Sequence, residues 1–237
     1  MCKAEPSVLN FSTEGVLLVP NSNIRARQMT TALMGTEPGL YPYLLNKKMK
    51  NLLKFKKERT LVLIKPEGVE RKLIGEIISR IERVGLNIIG LGILKPSKKL
   101  VDKHYPKDKN WIKNIGEKNL ATYKEYNLDI KKYLGTDDPY KIGKMVREWL
   151  VDYISSGPVV KILVEGPHAI DVVRKIVGNT RPYIAEPGTI RGDFSYDSPI
   201  LANLEKRPIK NLIHASDSPE SAEREIKIWF KKDEILK

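Results

Sequence analysis

Four short apolar runs, each cut off by proline, glycine or a polar turn and separated by segments of helical period, restrict this chain more than any other feature. "TLVLIKPEG" stops at Pro66, "LNIIGLGILKP" stops at Pro96, "GPVVKILVEG" lies between glycines, and "NLIH" runs into a serine-rich turn. Runs of this length with such boundaries read as strands. After the first, Leu73, Ile74, Ile77, Ile78, Ile81 and Val84 recur at helical spacing, and Gly85 supplies a stop. A short helix over 97–104 follows the second run, and Ile142, Met145, Val146, Trp149, Leu150 and Tyr153 mark another. Ala169, Ile170, Val172, Val173, Ile176 and Val177 follow the third run and close at Gly178. The order β-α-β-α-β-α-β predicts a split βαβ plan, with the stretches 106–142 and 178–199 left irregular.

Length and composition narrow the class. At 237 residues the chain holds one good-sized domain with extensions, or two small ones. Its apolar runs are too short and too broken by glycine to span a bilayer, and the N-terminus has no continuous signal core. The single cysteine, Cys2, excludes an internal disulfide, so a cytoplasmic protein with no membrane partner is expected. The net charge of +13 points to phosphorylated partners or to a solvated basic surface. Residues 1–57, with nine basic and three acidic residues, carry nearly half of that excess and show no sustained period. They are expected to be a weakly structured extension, and the onset of pattern suggests that translation starts at Met49. Nucleic acid remains an option for this arm without being indicated.

The last helix has a legible start. Ser218 is a good N-cap, Pro219 suits the first helical position, and Ala222, Ile226 and Trp229 form an apolar face bordered by Glu225. His214 lies just upstream of this start, where free backbone N–H groups favour an anion. A lone histidine there reads equally as a cap or a surface residue. Its company is Lys65 at the end of the first strand, Arg174 on the helix after the third, and Arg191 between Gly188 and Gly192 in "PGTIRGDF". Each alone can be a solvated cation; together they suit a phosphate chain. A Walker A loop is absent, since "IGKMV" lacks both the upstream glycine and the Ser/Thr. His104 and His168 lack metal-ligand spacing with His214, which argues against a zinc site.

"ERTLVLIKPEGVERKLIGEIISRIE", "SGPVVKILVEG", "PGTIRGDF" and "NLIHASDSPESAEREIKIWF", in this order, closely resemble the nucleoside diphosphate kinase family from about Glu58 to Glu234. The resemblance implies a ferredoxin-like α+β sandwich, βαββαβ, with a four-stranded antiparallel sheet. On that reading 58–237 is the kinase domain, with insertions at about 106–142 and 195–210, and 1–57 is an N-terminal extension. The activity implied is transfer of the terminal phosphate from a nucleoside triphosphate, such as ATP, to a nucleoside diphosphate in a ping-pong cycle. His214 resembles the nucleophile that becomes phosphohistidine. Lys65, Arg174, Thr180 and Arg191 resemble the phosphate-holding groups, and Asn211 the residue on the sugar. Tyr105, Ser216 and Glu225 resemble residues that steady the site. Mg²⁺ is expected to arrive with the nucleotide, without a protein cage, and the assembly to be a homo-oligomer, hexamer or tetramer.

The chain departs from the family at several places. Glu67 stands where Asp is usual, Lys72 replaces the glycine after Arg71, and Ala215 replaces the glycine after the nucleophile. If that last position needs a left-handed backbone, alanine costs about 1 kcal/mol. The connection from Tyr105 to Leu150 is longer than usual and contains the aromatic that stacks on the base in the family. Trp111, Trp149, Tyr123, Tyr126, Tyr133 and Tyr140 are candidates. A non-catalytic nucleotide- or nucleic-acid-binding module is the alternative, but a pure binder has no need of the histidine.

Overall fold

The structure, a computed structural model, describes residues 57–236. The proposed extension and the Met49 start lie outside the described residues. The elements are β1 (Glu58–Ile64), α1 (Pro66–Glu70), α2 (Ile74–Glu82), β2 (Asn87–Leu94), α3 (Lys98–His104), α4 (Lys109–Glu125), α5 (Ile130–Leu134), α6 (Pro139–Ser156), β3 (Val159–Gly166), α7 (Ala169–Val177), α8 (Ile190–Phe194), α9 (Pro199–Leu204), β4 (Ile213–Ala215) and α10 (Pro219–Trp229). A 3₁₀ turn, Pro182–Ile184, precedes α8. The strands form one antiparallel sheet in the order β2-β3-β1-β4, the α+β layout expected.

Strand periodicity explains the layers. On β1, Val62 and Ile64 point to one face with Ile77, Ile81, Val173 and Val177 from α2 and α7. Leu61 and Leu63 point to the other, with Val101, Ile154 and Trp229 from α3, α6 and α10. Both faces of β1 and β3 are covered, so these strands read as continuous apolar runs rather than as alternation. Gly85 and Gly178 follow α2 and α7 with φ of 81° and 83°, the stops that the sequence predicted.

Residues 106–142 are not irregular. They form α4, α5 and the start of α6, whose N-caps are Asp108, Asp129 and Asp138, each accepting backbone N–H groups. Their own small core gathers Tyr123, Ile130, Leu134 and Ile142. The periodicity of α4 is faint because only Ile112, Gly116 and Tyr123 of its residues are buried. Two glycines bring α4 and α6 into backbone contact: a Cβ on Gly116 would lie 1.8 Å from the Pro139 carbonyl oxygen, and one on Gly143 would lie 1.9 Å from that of Ile112. The stretch 195–210 likewise contains a helix, α9, next to a loop held by Arg207 and Asp197.

The left-handed positions revise the expected cost of two departures. Ala215 lies in β4 opposite Val62, in extended backbone that any residue adopts, so alanine is harmless there. Lys72 has φ of 60° on the exposed turn between α1 and α2. A left-handed non-glycine residue costs about 1–2 kcal/mol, and glycine loses about 0.5–1 kcal/mol of that gain to chain entropy. Lys72→Gly is therefore expected to stabilise the fold by about 0.5–1 kcal/mol. An unchanged or lower denaturant midpoint would contradict this account.

Candidate active site

The site is built where the end of β1 meets the turn entering β4. Leu63 pairs with His214 and Ile64 with Ile213, so Lys65, one residue past the strand, faces the approach to β4. That approach is a tight three-residue turn: the Ile213 N–H donates to the Asn211 carbonyl at 2.7 Å, and Leu212 between them has φ of 64°. A buried leucine in this region stores about 1–3 kcal/mol of strain, held here by surrounding bonds. The Lys65 N–H donates to the Leu212 carbonyl at 2.8 Å, and the Glu67 carboxylate accepts the Leu212 N–H.

Most of the residues predicted for the site converge on this turn. Lys65 is buried and its Nζ donates to Asn211 Oδ1, while Asn211 Nδ2 donates to the Thr180 carbonyl at 2.9 Å. Arg191 is also buried; its Nε, Nη1 and Nη2 donate to the carbonyls of Asn211, Gly178 and Ile213 at 3.2, 2.8 and 2.8 Å. The loop carrying it is pinned from two sides. Thr189 caps the Gly192 N–H, and Arg80 pairs with Asp193 at 2.7 Å while donating to the Gly188 carbonyl at 3.1 Å. Gly192 is required by close approach, since a Cβ there would lie 2.1 Å from the Glu186 carbonyl oxygen. Arg174 and Thr180 are exposed, and Tyr105 is half-buried.

His214 is aimed by its neighbours. Its Nε2 lies 2.8 Å from Glu225 Oε2, and the same oxygen accepts the Ser216 hydroxyl at 2.8 Å. Among the described residues Nδ1 has no hydrogen-bond partner, so the ring presents that nitrogen. Ser216 is fully buried, and its N–H donates to the Leu61 carbonyl at 3.1 Å, tying the segment back to β1. Burial pushes the Glu225 carboxyl up, but hydrogen bonding and charge from His214, then His104 and Ser216, outweigh it and hold the group below its ordinary range.

The cations are under strain of another kind. Burial, and then the neighbouring Arg191, lower Lys65 from 10.5 to about 7, with Glu67 pulling weakly the other way. Burial and the nearby Arg174 lower Arg191 to about 10. Positive charge is thus concentrated in a desolvated corner with too little negative charge to balance it.

Two groups escaped the sequence reading. His104 is buried, and its ring meets that of His214 edge to face with centroids 4.6 Å apart. Candidate ligand atoms of His104, His214 and Glu225 lie within 4.8 Å of one another, although these residues lack metal-ligand spacing in the sequence. Spacing rules apply to ligands on one element, whereas α3 and β4 meet only in the fold. His104 Nδ1 already accepts the Trp229 indole N–H at 3.2 Å and His214 Nε2 is held by Glu225, so the two imidazoles meet through a ring contact while each is anchored to a different partner. Burial, followed by the charge of His214, lowers His104 to about 3. Arg224 is the second group: it bridges the His104 carbonyl at 2.7 Å and Glu225 Oε1 at 3.1 Å. His104 directly precedes Tyr105 at the end of the helix, and that adjacency was the available signal for it. Of the aromatic candidates, Tyr123, Tyr133 and Trp149 pack in the core of the helical insert. Trp111 lies beside Tyr105, with ring centroids 6.3 Å apart.

Fold and site together define a phosphotransferase: an antiparallel α+β sandwich in which an imidazole follows a turn bound by two buried cations. The family profile described as nucleoside diphosphate kinase matches residues 58–115 and 139–235. The nucleoside diphosphate kinase of Pyrobaculum aerophilum is 48% identical over 179 residues, which cover 76% of this chain and 98% of that protein. A crystal structure of an NDP kinase from the same organism superposes with a TM-score of 0.75 at 46% identity, covering 76% of this chain and all of the other. The Borrelia burgdorferi nucleoside diphosphate kinase, solved as a transition-state mimic with vanadate and ADP, gives a TM-score of 0.60 at 39% identity over 76% of this chain and 91% of its own. The chain belongs to the nucleoside diphosphate kinase family. The profile is interrupted only at 116–138, within the helical insert, and runs unbroken across 195–210.

Proposed function

We propose that this chain moves the terminal phosphoryl group of a nucleoside triphosphate, such as ATP, to a nucleoside diphosphate through a phosphohistidine at Nδ1 of His214. The observation that carries the reading is that the buried side chains of Lys65 and Arg191 both bind the turn that leads directly into His214. A phosphate chain supplies the missing negative charge. In the first half-reaction Nδ1 forms a bond to the γ-phosphorus as the bond to the bridging oxygen breaks, and the nucleoside diphosphate leaves with that electron pair. A second diphosphate reverses the step. Glu225 holds the proton on Nε2, so Nδ1 keeps its lone pair, and it stabilises the imidazolium-like ring once phosphorylated. Ser216 and Arg224 keep that carboxylate in place. Lys65, Arg174, Thr180 and Arg191 hold the phosphates, where cations meeting the spread charge of a loose transition state supply most of the catalysis. Asn211 meets the sugar, and Tyr105 steadies the same cleft.

Mg²⁺ fits this arrangement as a companion of the nucleotide. Glu225 and Glu67, the carboxylates at the site, are already engaged by His214, Ser216 and Arg224, and by Leu212, so no side-chain cage is left for it. Carried in with the nucleotide, the ion would neutralise part of the phosphate charge. The experiment is incubation with labelled ATP and Mg²⁺. It should yield an acid-labile phosphoenzyme that a nucleoside diphosphate discharges, and absence of the phosphoenzyme would overturn the reading.

On the same reading, residues 58–237 form the catalytic domain and 1–57 an extension, in a cytoplasmic enzyme with no membrane partner, and nucleic acid is not indicated as a partner. Among the described residues no helix is long and apolar enough to cross a membrane. A homo-oligomer, hexamer or tetramer, is supported by the edge strand β2, where Leu91 and Ile93 are 55% and 62% exposed. An open apolar edge invites pairing with another copy. Leu91→Glu with Ile93→Glu should lower the sedimentation coefficient to that of a smaller species. An unchanged coefficient would remove β2 from the interface.

A further inference from the structure

We infer that Glu67 is a positioning residue for phosphoryl transfer, acting by clamping the strained turn that presents Asn211 and His214; this rests on the reading of His214 as nucleophile. Glu67 lies in α1, far along the chain from the turn, yet its Oε1 accepts the Leu212 N–H. That N–H belongs to the one residue of the turn in the left-handed region, and Leu212 is fully buried. Without the carboxylate it becomes a buried donor with no partner, which a chain relieves by changing conformation.

The other polar groups of the turn are held from other sides: the Leu212 carbonyl by Lys65 N–H, and the Asn211 and Ile213 carbonyls by Arg191. Among the described residues Glu67 is the partner of the Leu212 N–H. Helix α1 is pressed against the turn as well, since a Cβ on Gly68 would lie 3.3 Å from the Leu212 carbonyl oxygen and 2.8 Å from Ile64 Cγ2. What the turn displays is the chemistry: Asn211 bridges Lys65 Nζ and Thr180, and His214 follows Leu212 by two residues. Relaxing Leu212 therefore shifts the nucleophile and the Lys65 partner together. Glu67 need not touch substrate to matter, because displacement of reacting groups by about 1 Å can cost about 100-fold in rate.

The test compares full-length wild type, Glu67→Ala and Glu67→Gln. Phosphoenzyme formation is followed in a single turnover at saturating ATP and Mg²⁺, and hydrogen exchange is followed at the Leu212 amide. Glu67→Ala should slow formation about 100-fold, with the loss in rate exceeding any change in the ATP concentration for half-saturation, and should speed exchange at Leu212. Glu67→Gln keeps an acceptor oxygen and should restore both the slow exchange and most of the rate. Wild-type rate in Glu67→Ala, or Glu67→Gln as slow as Glu67→Ala, would overturn the inference. Should Glu67→Ala fail to fold, the glutamine variant decides: a folded Glu67→Gln that exchanges fast at Leu212 yet keeps the wild-type rate, or that exchanges slowly yet loses the rate, overturns the clamp. A wild type that forms no phosphoenzyme would defeat the functional reading instead, and the exchange comparison would still judge the clamp.

Discussion

His214→Ala should yield no phosphoenzyme and lower turnover by at least about 10⁴-fold, the scale of losing a covalent nucleophile. The loss should be specific to chemistry. His214 is only partly buried and its side chain bonds Glu225 alone, so the fold should survive, with Ser216 and Arg224 still holding that carboxylate. ATP binding should persist, because Lys65, Asn211 and Arg191 are held by one another and by backbone rather than by the imidazole. Nucleotide titration calorimetry alongside the labelling assay checks both halves. A phosphoenzyme surviving the substitution would move the nucleophile elsewhere.

Lys65→Met should have the next largest effect, and in two opposite directions. Losing a buried cation aimed at developing negative charge should reduce kcat/KM by about 10²–10³-fold. The same change should stabilise the free protein. The pKa falls from 10.5 unfolded to about 7 folded, so below about pH 7 the fold carries a buried charge it disfavours by about 5 kcal/mol. The sign follows from proton counts: between pH 7 and 10.5 the unfolded chain binds more protons, so this group's contribution to stability rises with pH across that window. Methionine removes the penalty but strands Asn211 Oδ1, a loss of about 1–3 kcal/mol. A net gain of about 2–4 kcal/mol at pH 6, shrinking toward pH 10, is expected from thermal unfolding across pH. In the wild type, kcat/KM should fall as pH rises through about 7, where the free enzyme loses the Lys65 charge. A profile flat between pH 6 and 9 would contradict the burial argument.

Much of this site was legible because local signals mark it. Ser218 does cap α10, with Pro219 at its start, and Glu225 does return to His214 from two turns along. Lys65, Asn211 and Arg191 were identified as site residues from their motifs, and they do meet. The helices in 106–142 were missed because α4 buries few of its side chains, leaving capping aspartates as almost their only signal. Ala215 and Lys72 show a subtler limit: both replace a glycine, and only backbone angles reveal that the strain falls on the lysine.

The sequence by itself determined the four strands, the helices α2, α3, α6, α7 and α10, the stops at Gly85 and Gly178, and the motifs shared with the family, because periodicity, capping and turn chemistry act between near neighbours. Tertiary structure alone decided that His104 abuts His214, that Arg224 braces Glu225, and that Glu67 reaches the amide of Leu212. It also decided which cations lose their water and so resist their own charge. Those facts depend on burial and on contacts between segments far apart in the chain. The imidazole's role thus rests on a place prepared by residues more than a hundred positions away: Leu63 beneath it on β1, and Glu67 across the turn that leads to it.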